Sequence, residues 1–237
     1  MNASIRRWKF VACCLLVSLI ACALPVWGLY QIWYPADWRP FTGGWQMMVL
    51  AGVAVLIVPL LSALVYKANR RALFLDMVVL SVLQLVTLGF AVHALHQGRP
   101  AWIAFVKDDF SILRPARMIT LPGTFWLDGP RWVGSPYAKD PAERARQVTR
   151  ELMDNVPVES LAESHIPIEQ VRPAILAAAR PLARLRELNA SDQVAAVLAA
   201  HPQAAGWLPL KGVERDGVVL VDAYGRPLQA VPLAPWH

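Results

Sequence analysis

The sequence predicts an α-helical membrane protein with three transmembrane helices and a C-terminal α+β extracytoplasmic domain. Three observations carry that prediction: long apolar runs fill the first 97 residues, basic residues flank those runs unevenly, and a strand-rich pattern closes the chain. Of the 237 residues, 56% are hydrophobic and only 17% are charged, both displaced from soluble averages in the direction of lipid. Residues 1–97 hold seven Lys or Arg against Asp37 and Asp76, whereas residues 98–237 hold sixteen basic and fifteen acidic residues. The net charge of +6 therefore belongs mainly to the apolar part, which is a topology signal and not a nucleic-acid footprint. The polar part has no basic stripe with interleaved aromatics, so nucleic acid is not an expected partner and the lipid bilayer is.

A bilayer crossing takes about 20 apolar residues, and spans are expected at about 10–30, 45–66 and 73–96, giving a membrane domain over 1–97. The first two are uncharged; the third holds Asp76 near its start. Arg6, Arg7 and Lys9 precede the first span, and Lys67, Arg70 and Arg71 lie between the second and third. The positive-inside rule then places the N-terminus and the 67–72 turn in the cytoplasm. The 31–44 connector and the domain over 98–237 fall outside, in the periplasm if the membrane is a bacterial inner membrane.

That connector reads "IWYPADWRPFTGGW". Trp33, Tyr34 and Trp45 are expected at the outer headgroup layer, where amphipathic rings anchor helix ends. Pro35 helps to end the first span, and Gly43-Gly44 let the chain turn into the second. Anchoring explains Trp38 least well, and it is a candidate partner contact. Leu19–Cys22 matches a lipobox and Ala21–Ala23 imitates a signal-peptidase site. The apolar run nevertheless continues to Tyr30 without a polar mature start, so an uncleaved signal anchor is expected. All three cysteines, Cys13, Cys14 and Cys22, lie in this span, which leaves the exported part no disulfide and no zinc-ligand spacing.

Polar groups within spans are costly and therefore informative. Asp76 sits near the N-terminus of the third helix, where the macrodipole and Arg70 or Arg71 favour a negative charge. Gln84 lies deeper, and its amide is expected to bond to another helix of this chain or of a partner. Pro59 should bend the second span. These three join Trp38 as the possible partner contacts.

In the exported part, "PAWIAFVKDDFSIL" reads as a hairpin and "RPARMITLPGTFWLDGPRWVGSPYAKDP" as an ordered irregular connector. "DPAERARQVTRELMDN" gives a surface helix with Asp140 as N-cap and Pro141 in its first turn. Pro173 and Pro181 should divide the next helical stretch, and "SDQVAAVLAAH" is a short helix capped by Ser191. The closing "GWLPLKGVERDGVVLVDAYGRPLQAVPL" reads as three antiparallel strands turning at Asp216-Gly217 and Tyr224-Gly225, and these should join the first hairpin.

Chemistry-bearing motifs are missing: no G-x-S-x-G, P-loop, G-x-G-x-x-G after a strand, or C-x-x-C occurs. His93 and His96 could share a helical face but lack a third ligand. His165 and His201 fall in loops beside prolines, where exposure is expected. Asp108-Asp109 is expected to bond backbone N–H groups in a turn. The reading is of a protein that is not an enzyme, with no cofactor and no metal.

Several stretches together carry a resemblance: "WYP" then "GGW", "GV" leading to "PLLSALVYK", "LFLDMVVLSVLQL", "QGRPAWIAFVKDDF", "DGPRWVGSP", "ARPLARL", "GWLPLKG", "VVLVDAYGRPL" and the closing "PW". In that order they resemble the type IV pilin accessory proteins of the TfpX/TfpZ family. The resemblance implies a non-enzymatic inner-membrane protein that handles the major type IV pilin and modulates pilus assembly, extension or retraction. Family members often carry an acid after "GV" and a glycine before "PLL"; here those positions are Ala54 and Val58. The alternative is a membrane-anchored periplasmic sensor or ligand-binding protein, which the near-absence of cytoplasmic sequence disfavours.

Overall fold

A short polar and basic start leads into a long apolar stretch, and together they form one helical run: α1 (Asn2–Ser18), a π-helical segment (Leu19–Ala23) and α2 (Leu24–Trp33). The π segment has a local cause. Pro25 lacks an N–H and its ring would clash with the carbonyl four residues back, at Ala21; widening the turn there carries the helix past the proline. The computed structural model describes residues 2–46, 48, 49, 51–53, 56, 61, 70–120 and 126–236. The chain divides into a helical unit, Met1–Ile32 with Gly44–Gly98, and a sheet unit, Trp33–Gly43 with Arg99–His237.

Besides the first helical run, the helical unit contains α4 (Gly44–Val53) and α5 (Arg70–Gly98). Two stretches are long and apolar enough to cross a membrane by length and composition, Trp8–Trp33 and Phe74–Gly98. Of the expected middle span, only the part in α4 and the isolated residues 56 and 61 are described; Pro59, Ala54 and Val58 lie outside the described residues.

The sheet unit is built on a seven-stranded mixed sheet in the order β4-β3-β1-β2-β5-β6-β7. Strands β1 (Trp102–Val106) and β2 (Asp109–Leu113) form the expected hairpin, and Lys107 takes a left-handed φ of 55° in its two-residue turn. Strands β5 (Gly206–Lys211), β6 (Gly217–Val221) and β7 (Pro227–Val231) form the expected antiparallel meander. It joins the hairpin through a parallel β2–β5 pairing. Two strands were not legible in the connector and the segment after it: β3 (Arg131–Gly134), parallel to β1, and the two-residue β4 (Ile166–Pro167).

Both faces of this sheet are covered, which explains why its strands read as continuous apolar runs. Ile103, Phe105, Val219 and Val221 face one core, with Ile175 from α7 (Arg172–Ala178) and Ile168 and Val171 from the preceding 3-10 turn. On the other face, Val218 and Leu220 pack with Leu185 of α8 (Leu185–Leu188) and Val194 of α9 (Ser191–Ala200). The prolines divide the helices as expected, Pro173 in the first turn of α7 and Pro181 before the turn that leads into α8. Asp140 caps α6 (Pro141–Asp154) by accepting from the Glu143 N–H at 2.9 Å, and no α6 residue is fully buried. The Ser191 cap is corrected: Ala190 accepts the first helical hydrogen bond, from the Val194 N–H, so the helix begins one residue earlier and has no side-chain cap.

The connector gives the largest correction. Trp33 and Tyr34, expected among headgroups, are fully buried, and residues 33–43 belong to the sheet unit. A tight turn follows Tyr34, with the Trp38 N–H donating to Pro35 O, and α3 (Arg39–Thr42) ends in the left-handed Gly43. Phe41 enters the same core as Phe105, Phe110 and Val219. Its carbonyl accepts from the N–H groups of Val213 and Glu214 at 2.8 and 3.1 Å. Burial in a close-packed interior gives aromatic rings both area and directed hydrogen bonds, which outweighs an interfacial position. Trp45 is exposed.

Candidate functional site

The helical unit has a seam. On α5, the buried residues Leu80, Gln84, Ala91 and Leu95 recur at spacings of four and seven, the periodicity of helix-on-helix packing. On the first helical run Ser18, Cys22, Val26 and Tyr30 are buried at intervals of four. The outward faces are apolar as well: Phe74, Val79, Leu85 and Phe90 of α5 are all more than half exposed, and so are Leu16 and Ile20.

Gln84 joins the two seams, its Nε2 donating to Cys22 Sγ at 3.6 Å. Among the described residues its Oε1 is buried without a hydrogen-bond partner. An amide with one end unsatisfied in apolar surroundings is unfavourable by about 1–3 kcal/mol, so this position is poised to accept a bond. Beside it an apolar groove of about 410 Å³ is lined by Cys14, Ser18, Cys22, Leu80, Ser81 and Gln84, among others. Small side chains on the first helix leave the space, and the π segment lies along it. Asp76, two turns before Gln84, has an Oδ2 that is buried without a partner among the described residues. Cys22 lies inside the helical run and accepts the Gln84 contact.

No family model, curated protein or solved structure matches this chain.

Of the four residues singled out from sequence, two share an element. Gln84 and Asp76 share α5 in the helical unit, and Pro59 lies outside the described residues. Trp38 belongs to the sheet unit, where its ring packs on Trp132 at 5.4 Å and on Phe41 at 6.4 Å. Cys22 and the small-residue wall were missed as partners of Gln84. The fourfold spacing Ser18, Cys22, Val26 was the available signal.

The sheet unit carries a separate ionisable cluster. Asp109 pairs with Lys211 at 2.6 Å instead of bonding to its turn, and burial raises its pKa. Burial also raises Glu159, helped by nearby Glu151 and Asp109 and opposed by a backbone hydrogen bond and Lys211. His165 is half-buried, not exposed: its Nε2 bonds Glu159 O at 2.8 Å, and burial lowers its pKa. Among the described residues no group of three metal-ligating side chains occurs.

A carboxyl whose folded pKa is raised stabilises the fold below its unfolded pKa, and that contribution is lost as pH rises through the folded value. For Glu159 the loss begins above the ordinary value of 4.5. The thermal midpoint of the sheet unit should therefore fall relative to that of Glu159→Gln as pH rises above 4.5. Parallel curves for the two proteins would contradict the assignment.

Proposed function

We propose that this protein is a three-span inner-membrane protein with its sheet unit in the periplasm, acting without catalysis as an accessory factor for type IV pili. Its partner in this reading is the apolar membrane helix of the major pilin. The observation that carries it is the half-satisfied Gln84 amide in an apolar groove whose surrounding helix faces are also apolar. Helices that are apolar all round belong in a protein core or in lipid. The candidate spans are only 18% and 22% buried, which favours lipid. The resemblance to TfpX/TfpZ proteins supplies the identity of the partner. The groove supports a helical occupant that brings a hydroxyl or amide N–H to the depth of Gln84.

Gln84→Leu keeps the shape of the groove and removes the amide. Interhelical side-chain hydrogen bonds in membranes contribute about 0.6–1.7 kcal/mol, so pilin association should weaken about 3- to 20-fold, read as photocrosslinking yield. Deleting the gene in a cell with its cognate pilin should reduce surface piliation and twitching. Unchanged piliation and pilin level would sink the proposal.

A sensor or ligand-binding role remains the second reading, favoured by one contact set. Trp126 O accepts from the indole N–H of Trp33 at 3.1 Å and from Arg99 Nη1. Trp33, the last residue of one candidate span, and Arg99, the residue after the other, thus share one carbonyl acceptor in the sheet unit.

A further inference from the structure

We propose that the groove beside α6 binds a small apolar carboxylate, its hydrocarbon body against Phe105, Val148 and Val171 and its acid group at Lys107 and Arg144. The site lies wholly within the sheet unit, so it holds whether or not the pilin reading does. Helix α6 is fastened to the segment before it by polar bonds. The Tyr137 hydroxyl donates to Glu151, the Ala138 N–H donates to Gln147 Oε1 at 2.8 Å, and Arg144 Nε donates to Ala138 O at 3.0 Å. An amphipathic helix normally lays its apolar stripe on a core. Here no α6 residue is fully buried, and Val148 remains 38% exposed. Beside it lies a groove of about 410 Å³, lined by the core residues Phe105 and Val171, by Tyr137 and Val148, and by two cations, Lys107 and Arg144.

The charge in this groove has one sign. No carboxylate is among its lining residues, and among the described residues neither Lys107 nor Arg144 is in an ion pair. Of the carboxylates nearby, Glu151 accepts from Tyr137, Glu143 pairs with Arg146 at 3.2 Å, and Asp109 pairs with Lys211. Asp108, next in sequence to Lys107, is exposed and lies outside the lining. Lys107 holds its left-handed φ of 55° in the β1–β2 turn, and its Nζ stands 4.8 Å from the centroid of the Tyr137 ring. A concave, mainly apolar lining of this volume with a few charged groups is the usual form of a small-molecule site. Two cations without a lining carboxylate select an anionic group, which they hold by charge-assisted hydrogen bonds.

The test uses the full chain in lipid nanodiscs, phenylacetate as the probe and saturation-transfer NMR as the readout, with empty nanodiscs as the blank. Phenylacetate should bind saturably. Acetate, which lacks the ring, and phenylethanol, which lacks the acid, should bind several-fold more weakly. Arg144→Gln should weaken phenylacetate binding several-fold, whereas Arg144→Lys, which keeps the charge, should bind nearly as the wild type does. Lys107→Asn should also weaken it several-fold, because asparagine accepts the left-handed backbone while removing the charge. Val148→Asp, which places a carboxylate in the groove, should abolish it. No saturable binding, or binding that Arg144→Gln and Lys107→Asn both leave unchanged, would overturn the proposal. Equal binding of phenylethanol would contradict the acid group in the ligand. Binding confined to an acetylated peptide with a free C-terminal phenylalanine would overturn the small-molecule assignment in favour of a chain terminus.

Discussion

Phe41→Ala should lower the stability of the sheet unit by about 3–5 kcal/mol, the usual range for truncating a buried aromatic. Phe41 is fully buried, and its ring fills space bounded by residues of β2, β5 and β6 that lie far along the chain. Little else can collapse into the gap, because Gly217 opposite has no side chain. A Cβ built there would stand 2.3 Å from Phe41 Cε1. The cost is a large fraction of the 5–15 kcal/mol that a domain typically has. Hydrogen exchange of the β5 and β6 amides in the full chain reads it directly, since those strands should open only with the whole unit. Protection unchanged by Phe41→Ala would mean that the 33–43 segment does not belong to this core.

Gly212→Ala is the second large effect expected. A Cβ at Gly212 would lie 1.8 Å from the Arg215 carbonyl oxygen and 3.2 Å from that of Phe41. Both obstacles are backbone, so neither can rotate away. The turn between β5 and β6 would have to open, putting the Gly212 N–H bond to Asp216 Oδ1 at risk. It would also disturb the Val213 and Glu214 bonds to Phe41 O. A loss of about 1–3 kcal/mol is expected from overpacking alone. Its measurable mark is a coupled loss of exchange protection at Val213 and Glu214. A variant with the stability of the wild type would show that the turn and the 33–43 segment are not packed as described.

The two effects explain what the sequence could and could not reveal. Local rules sufficed where the decisive partners are near in sequence. The Lys107-Asp108 turn, the Asp140 cap, the breaks at Pro173 and Pro181 and the closing meander were all visible in short windows. The 33–43 segment was read as interfacial because its neighbours in sequence are apolar spans, yet its partners are Trp126, Val213, Glu214 and Gly217. Strand β3 was hidden among Pro and Gly because its existence depends on pairing with β1 across an intervening hairpin and connector. His165 was expected in solvent because a proline-rich loop gives no sign of Trp102 and Glu159 O beside it. In the helical unit, an amide inside an apolar run was enough to single out Gln84. Its contact with Cys22 follows only from packing two helices together.

The most direct measurement is photocrosslinking in living cells, with a benzophenone amino acid replacing Ser81. That residue is exposed yet lines the groove beside Gln84. The expected result is a covalent adduct with the major pilin, reduced by Gln84→Leu. If no pilin is captured while the protein is present in the membrane at its normal level, the groove does not hold the pilin helix.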